Sequence, residues 1–293
     1  MAIGAHADDV ELHFGGTLFK YQDKGYEIIY IMSTNNMSGA VRVPQEDGTW
    51  KKTVSFDPIR TIELRKRETA AAAKLFKTEA IHLDHPQRKC YVPDAEGNIR
   101  PIEVRYGTPL PPGVPAGVPT ILTAFADPCS VERLKKLILE RNPEVILTQG
   151  HAEVNPEHHA TFLLTMRAYW KAVGEGYTGS LLFSARSFNE LGRYACLWET
   201  WVDVTGYLDR KMESVLKHES QYPAKFAHGL KHWNEIAERK GRFCGTGAVE
   251  AYNFVNNDPK GTEETLLLNE LIRNRAEAAP WGFSGDHPLA QDS

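Results

Sequence analysis

The chain has 293 residues, 42% of them hydrophobic and 25% charged, with 34 basic against 38 acidic side chains and a formal charge of −4. One sizeable core is affordable, the mixed charges leave no basic stripe for a phosphate backbone, and no run approaches the ~18 consecutive apolar residues of a membrane span, which argues against nucleic acid and membrane partners. No charged leader with a long apolar run opens the chain and Cys90, Cys129, Cys196 and Cys244 stand without a CxxC pair, so the expectation is a cytoplasmic protein with reduced thiols whose metals, if any, are held by other side chains.

Residues 2–5 are a short apolar run, 15–24 carry Leu18, Phe19 and Tyr21 at helical spacing before a Gly25 stop, and Glu27 to Met32 are rich in β-formers, which predicts a βαβ unit. A helix is predicted over 61–76 from Ile62, Leu64, Ala70–Ala73, Leu75 and Phe76, followed by a strand at Ala80–Leu83. Ser130 can cap a further helix to about Glu140, and Glu144–Thr148 reads as a buried strand. Strands alternating with helices predict an α/β fold, a Rossmann-like doubly wound, mostly parallel sheet in one domain.

Two segments interrupt that alternation. Residues 35–58 are polar, and residues 91–119 hold Pro93, Pro101, Pro109, Pro111, Pro112, Pro115 and Pro119. They read as loop insertions beside a site, with plain surface insertions as the alternative. Over 200–255 a strand, a helix with Leu208, Met212, Val215 and Leu216, and a helix near 226–239 are expected; 256–293 reads as a C-terminal extension, partly loose after about residue 274.

In a parallel sheet ligands bind beyond the carboxyl ends of the strands. His6, Asp8 and Asp9 follow the first strand, and His151, His158 and His159 follow the strand ending at Thr148. His6 with one of the aspartates offers two metal ligands, and a histidine from the second loop completes an open catalytic set. The other aspartate is then available as the base that a metal-activated water needs. On turn preferences alone the Asp8-Asp9 pair would instead be a turn or a helix cap.

The stretch His6-Ala7-Asp8-Asp9-Val10-Glu11, with Gly15-Gly16-Thr17-Leu18 behind it, resembles the AHPDDE...GGT signature of the PIG-L/LmbE-like zinc-dependent N-acetyl-sugar deacetylases. Further along, Asn155-Pro156-Glu157-His158-His159-Ala160-Thr161 resembles the family's HPDHxAT segment and Arg65-Lys66-Arg67-Glu68 its RxxE. Lys211 with His218-Glu219-Ser220-Gln221 resembles its KxxALxxHxSQ stretch, and Gly247–Tyr252 a segment near the end of its domain, so the likeness spans residues 1–255. The resemblance implies that His6, Asp9 and His158 hold Zn2+, one per chain with other divalent metals admissible, and that Asp8 is the general base. It also implies a small-molecule partner, an N-acetylated sugar or glycoconjugate, which loses its acetyl group by hydrolysis. The oligomeric state, homo-oligomer included, is left open.

Three positions depart from the family pattern. Ala7 replaces a proline, Val10 stands where a glutamate is usual with Glu11 one place later, and Asn155 stands where a histidine precedes the metal ligand by three residues. An asparagine amide can donate to an oxyanion but delivers no proton at neutral pH, so Asn155 is a candidate catalytic residue of reduced capacity. The alternative is a family member that binds a sugar or metal without turnover. His151 is a candidate replacement acid or a surface residue; His159 and His218 are read as structural and His13 as a packed or surface residue; Glu157 is either a surface carboxylate or a partner of a ligand. Arg65 is the candidate substrate contact through an exposed guanidinium, or an i,i+3 partner of Glu68. Trp198, Trp201, Tyr194 and Trp233 could stack on a sugar face, though aromatics are more often core.

Overall fold

The chain runs from strand β1 (Ala2–Gly4) through helix α1 (Asp9–Asp23) to β2 (Tyr30–Thr34), then through a hairpin of β3 (Ala40–Pro44) and β4 (Trp50–Val54) to helix α2 (Pro58–Leu75) and β5 (Ala80–His85). A second hairpin, β6 (Lys89–Pro93) and β7 (Ile99–Glu103), precedes helices α3 (Ile121–Ala124) and α4 (Pro128–Arg141), β8 (Val145–Thr148), α5 (Pro156–Gly174) and β9 (Ser180–Ser184). The last part holds β10 (Thr200–Asp203), α6 (Leu208–Val215), α7 (Ala227–Phe243), β11 (Val249–Phe254) and α8 (Leu266–Phe283). This computed structural model describes residues 1–293 apart from 48–49, 55–56, 105–109, 111–113, 115–116, 152–154, 186–197, 224–226, 257 and 284–293.

Seven strands form one sheet in the order β10-β11-β9-β8-β1-β2-β5. β5, β2, β1, β8 and β9 pair in parallel, and β11 runs antiparallel between β9 and β10. The expected Rossmann-like, mostly parallel α/β architecture is therefore observed. From β1 the chain winds one way through β2 to β5 and later the other way from β8 to β9, so the order reverses between β1 and β8. A crevice opens at such a reversal, beyond the carboxyl ends of the two strands.

Strand alternation sends side chains to two cores. Ala2, Tyr30, Met32, Leu147 and Leu182 face Phe14, Leu18 and Phe19 of α1, Phe76 after α2, and Leu267, Leu268 and Leu271 of α8. Their sequence neighbours Ile3, Ile31, Ile146 and Leu181 face Val131, Leu134 and Ile138 of α4 and Leu164, Ala168 and Tyr169 of α5. Among the described residues no helix is long and apolar enough to cross a membrane.

Several expectations are corrected. α1 starts at Asp9, not near residue 15, because it is buried on nearly every side and shows no amphipathic stripe. Asp127, not Ser130, caps α4: its Oδ2 accepts from Ser130 N at 2.7 Å, and Pro128 occupies the first turn. Each loop insertion contains a hairpin. The extension after residue 255 contributes α8, whose Leu267, Leu268 and Leu271, ahead of the part expected to be loose, enter the core; residues 284–293 lie outside the described residues.

Candidate metal centre

β1 ends at Gly4, where a Cβ would meet Val10 Cγ2 at 3.0 Å and Asp9 Cβ at 3.1 Å, so glycine there lets the chain fold back closely over its own strand end. The loop that follows is pinned from both sides of the sheet reversal. Ala5 N donates to Gln149 Oε1 at 2.8 Å, Ala7 N donates to Asn36 Oδ1 at 2.8 Å, and the Arg65 guanidinium donates to Ala7 O. Under these constraints Asp8 takes φ 105°, a left-handed backbone that disfavours side chains other than glycine by roughly 1–3 kcal/mol. It occupies the N-cap position of α1, yet its side chain makes no capping hydrogen bond.

Asp9, buried at the helix start, accepts a hydrogen bond from His6 N at 2.6 Å. Its Oδ2 lies 3.2 Å from His6 Nδ1 and 3.4 Å from His158 Nε2, and the two ring nitrogens are 3.1 Å apart. Among the described residues these three form the one group of histidine, cysteine or carboxylate side chains close enough to share a metal ion. Bonds of about 2.0–2.2 Å to tetrahedral zinc set neighbouring ligand atoms about 3.3–3.5 Å apart, and a triangle with sides of 3.1 to 3.4 Å is close to one face of that tetrahedron. Two nitrogens and one carboxylate oxygen are suitable donors, and a three-residue set leaves a fourth position for water or substrate. The residues present therefore fit a divalent metal.

Electrostatics point the same way. His6 Nε2 donates to Glu157 Oε2 at 2.6 Å, which leaves Nδ1 to face Asp9 and His158. Burial opposes a charge on this imidazole, but Asp9 and Glu157 outweigh it and raise His6 to about 10. Burial likewise works to raise Asp9, and His158 and His6 override it to hold the carboxyl well below its usual range. Glu157, also desolvated, is brought down to about 2 mainly by its bond with His6. The two carboxylates thus favour positive charge beside His6. Asp8 behaves differently: burial pushes its carboxyl up while Arg65, 3.6 Å away, pulls it back.

The other sequence candidates separate into those near the cluster and those not. Arg65 is not the exposed substrate contact expected of it. It is 3% exposed, and its Nη1 donates to Glu68 Oε2 at 2.6 Å and Ser220 Oγ at 3.2 Å while Nη2 holds Ala7 O. It faces a loop carbonyl and two buried side chains, with Nη2 3.6 Å from Asp8 Oδ2. Asn155 caps α5, its Oδ1 accepting from Glu157 N at 3.0 Å. Glu157, for which two roles were open, is buried and orients His6. His159 Nδ1 donates to His151 O at 2.8 Å and lies outside the cluster, and His151 is exposed.

His13 packs its ring 6.1 Å from that of His158. His218 is fully buried with Nε2 3.4 Å from Glu11 Oε2, and Glu11 accepts from Tyr30 OH at 2.9 Å, so the displaced glutamate sits in a buried polar layer. Lys211 pairs with Glu250 at 2.5 Å, and Glu250 also accepts from Gly16 N and Thr17 N, which ties the last motif to the first helix. Trp201 and Trp198 pack with Val249 and Cys244, Trp233 packs on Leu12 and Val215, and Tyr194 lies outside the described residues. Sequence reasoning missed Asn36, Gln87 and Gln149, buried amides just past the ends of β2, β5 and β8; polar residues directly after apolar strands were the available signal.

The family model described as PIG-L, GlcNAc-PI de-N-acetylase, matches residues 1–169. The 1D-myo-inositol 2-acetamido-2-deoxy-alpha-D-glucopyranoside deacetylase of Kineococcus radiotolerans is 25% identical over 182 residues, which cover 61% of this chain and 46% of that protein; the chain thus matches about half the length of this relative. Among solved structures, the N,N'-diacetylchitobiose deacetylase of Pyrococcus horikoshii is similar with a TM-score of 0.58 at 17% identity, over 87% of this chain and 82% of that one. The 4-carboxy-2-hydroxymuconate hydratase GalB of Pseudomonas putida reaches 0.60 at 17% identity, over 89% and 97%. At such identities these likenesses show a shared fold, and that fold carries both a deacetylase and a hydratase.

Proposed function

The chain belongs to the PIG-L family, and from that premise we propose that it is a zinc-dependent hydrolase that removes acetyl from an N-acetylated sugar or glycoconjugate. The observation that carries this reading is the triangle of His6 Nδ1, Asp9 Oδ2 and His158 Nε2 with a second carboxylate, Asp8, beside it and outside the ligand set. Zinc held by His6, Asp9 and His158 would supply a Lewis acid that acidifies water and polarises an amide carbonyl.

Asp8 is then the general base. Its carboxyl, raised by burial, is suited to take a proton from water and keep it long enough to return it. Arg65 keeps that carboxylate in place through Ala7 O and its own charge. Transfer of the same proton to the departing nitrogen completes hydrolysis of the acetamide to acetate and a free amine, which needs no second acid. Asn155 spends its oxygen on the helix cap, so its remaining contribution is the amide N–H, a donor for the developing oxyanion.

Asn155 also favours a second reading, a family member that binds its sugar or metal without turnover. Acetate release separates the two. The zinc-loaded chain, screened against N-acetylglucosamine derivatives with diverse substituents, should release acetate stoichiometric with free amine from at least one. Zinc bound with no release from any N-acetylated sugar supports the second reading.

A further inference from the structure

Gln87 closes a chain of contacts that begins at His6. It is 6% exposed, lies just past the end of β5, and precedes the hairpin of β6 and β7. Its Oε1 accepts from Ser38 N at 2.8 Å and Ser38 Oγ at 2.7 Å. A backbone N–H can only donate, so the amide oxygen must face Ser38, and Nε2 must face the other way. There it donates to Glu157 Oε2 at 3.1 Å, and the next residue, Arg88, donates its N–H to Glu157 Oε1 at 2.7 Å. Both Glu157 oxygens are thereby engaged, and Oε2 is the atom that receives His6 Nε2 at 2.6 Å.

Glutamate has one more rotatable bond than aspartate, so a carboxylate on that longer arm needs external donors to stay under a ring nitrogen. Such outer partners fix a ligating imidazole's tautomer and ring plane, and their loss typically weakens metal binding 10- to 100-fold. We propose that Gln87 is a positioning residue for the metal centre: by donating to Glu157 it fixes the carboxylate that orients His6, and so the root of the second hairpin sets the metal affinity. The inference rests on the reading of His6, Asp9 and His158 as metal ligands. It joins the loops after β1, β2 and β5 and the start of α5 into one device that presents Nδ1 of His6.

The test uses the full chain stripped of metal and titrated with Zn2+ against a chromophoric chelator. Gln87→Met keeps the side chain's length and removes its amide; zinc should bind about tenfold or more weakly, and the visible spectrum of the Co2+-loaded protein should shift. Gln87→Glu, which changes one atom and puts a carboxylate against Glu157, reads the same link if the methionine variant does not fold, with a loss at least as large. A residue that only supports the fold would lower the unfolding midpoint of the metal-free protein while leaving the zinc constant and the cobalt spectrum of the folded chain unchanged. Zinc affinity within twofold of wild type in a folded variant overturns the proposal. A wild-type chain that binds no zinc removes the metal reading and this inference with it; a wild type that binds zinc with an equal Gln87 variant removes this inference alone.

Discussion

Replacing Arg65 by methionine separates a buried positioning role from contact with substrate. The guanidinium satisfies Glu68 at 2.6 Å, Ser220 Oγ at 3.2 Å and the Ala7 carbonyl, and lies 3.6 Å from Asp8, all in a pocket where Arg65 is 3% exposed. Removing one partner of a buried pair typically costs about 3–5 kcal/mol, because the remaining charge stays desolvated. Glu68 retains two donors, Ser220 N at 2.6 Å and Ser220 Oγ at 2.9 Å, so the loss belongs at the lower end, about 3 kcal/mol. That is a large part of the ~5–15 kcal/mol that stabilises a domain. Urea unfolding of the metal-free proteins measures it, and a double-mutant cycle with Glu68→Met should return part of the loss, since the double variant no longer leaves the Glu68 carboxylate without its cation. Stability within about 0.5 kcal/mol of wild type, with the change confined to KM, would refute the positioning account and restore Arg65 as a substrate contact.

Other consequences are open to similar measurement. A Cβ at Gly16 would stand 2.7 Å from Val204 Cβ, so Gly16→Ala should lower stability by about 1–3 kcal/mol in urea despite alanine's better helix propensity; a stabilised variant would contradict the close approach of α1 to Val204. In protein stripped of metal, His6 is raised to about 10, so its contribution to stability is complete below its unfolded value of about 6.5 and disappears as pH rises through about 10. Glu157, lowered to about 2, contributes above its unfolded value of about 4.5 and loses that contribution as pH falls through about 2. The unfolding midpoint of chelator-treated wild type relative to His6→Gln should therefore shrink between pH 6.5 and 10; a constant difference across that range would show that His6 carries no such charge.

The parallel sheet was legible because β1, β2 and β8 are apolar runs separated by helical spacing or Gly and Pro signals, and burial on both faces demands such runs. α1 was half legible: Leu18, Phe19 and Tyr21 mark its end, whereas Asp9, Glu11 and His13 in its first turns are buried for chemistry and break the apolar pattern. The hairpin of β3 and β4 had a local signal, Asp47-Gly48 between Val41-Arg42-Val43 and Thr53-Val54, that the surrounding polar residues masked. At the site, residue types limited the candidate ligands to a small set; the gathering of His6, Asp9 and His158, and the left-handed backbone that Asp8 takes beside them, are encoded by no spacing. For Arg65 the i,i+3 pair with Glu68 was legible, but its burial was not, since its other partners Ala7 and Ser220 lie 58 and 155 residues away in sequence.

In the proposed function two adjacent carboxylates divide the labour, Asp9 binding metal and Asp8 moving a proton. Measuring zinc content and acetate release together on wild type and Asp8→Asn tests it most directly, with a substrate that the wild type turns over. Both proteins should hold about one zinc per chain, and acetate release should fall by roughly 100-fold or more in the variant, the typical scale of general base catalysis. An Asp8→Asn protein that loses its zinc, or keeps it and releases acetate at the wild-type rate, would contradict the claim.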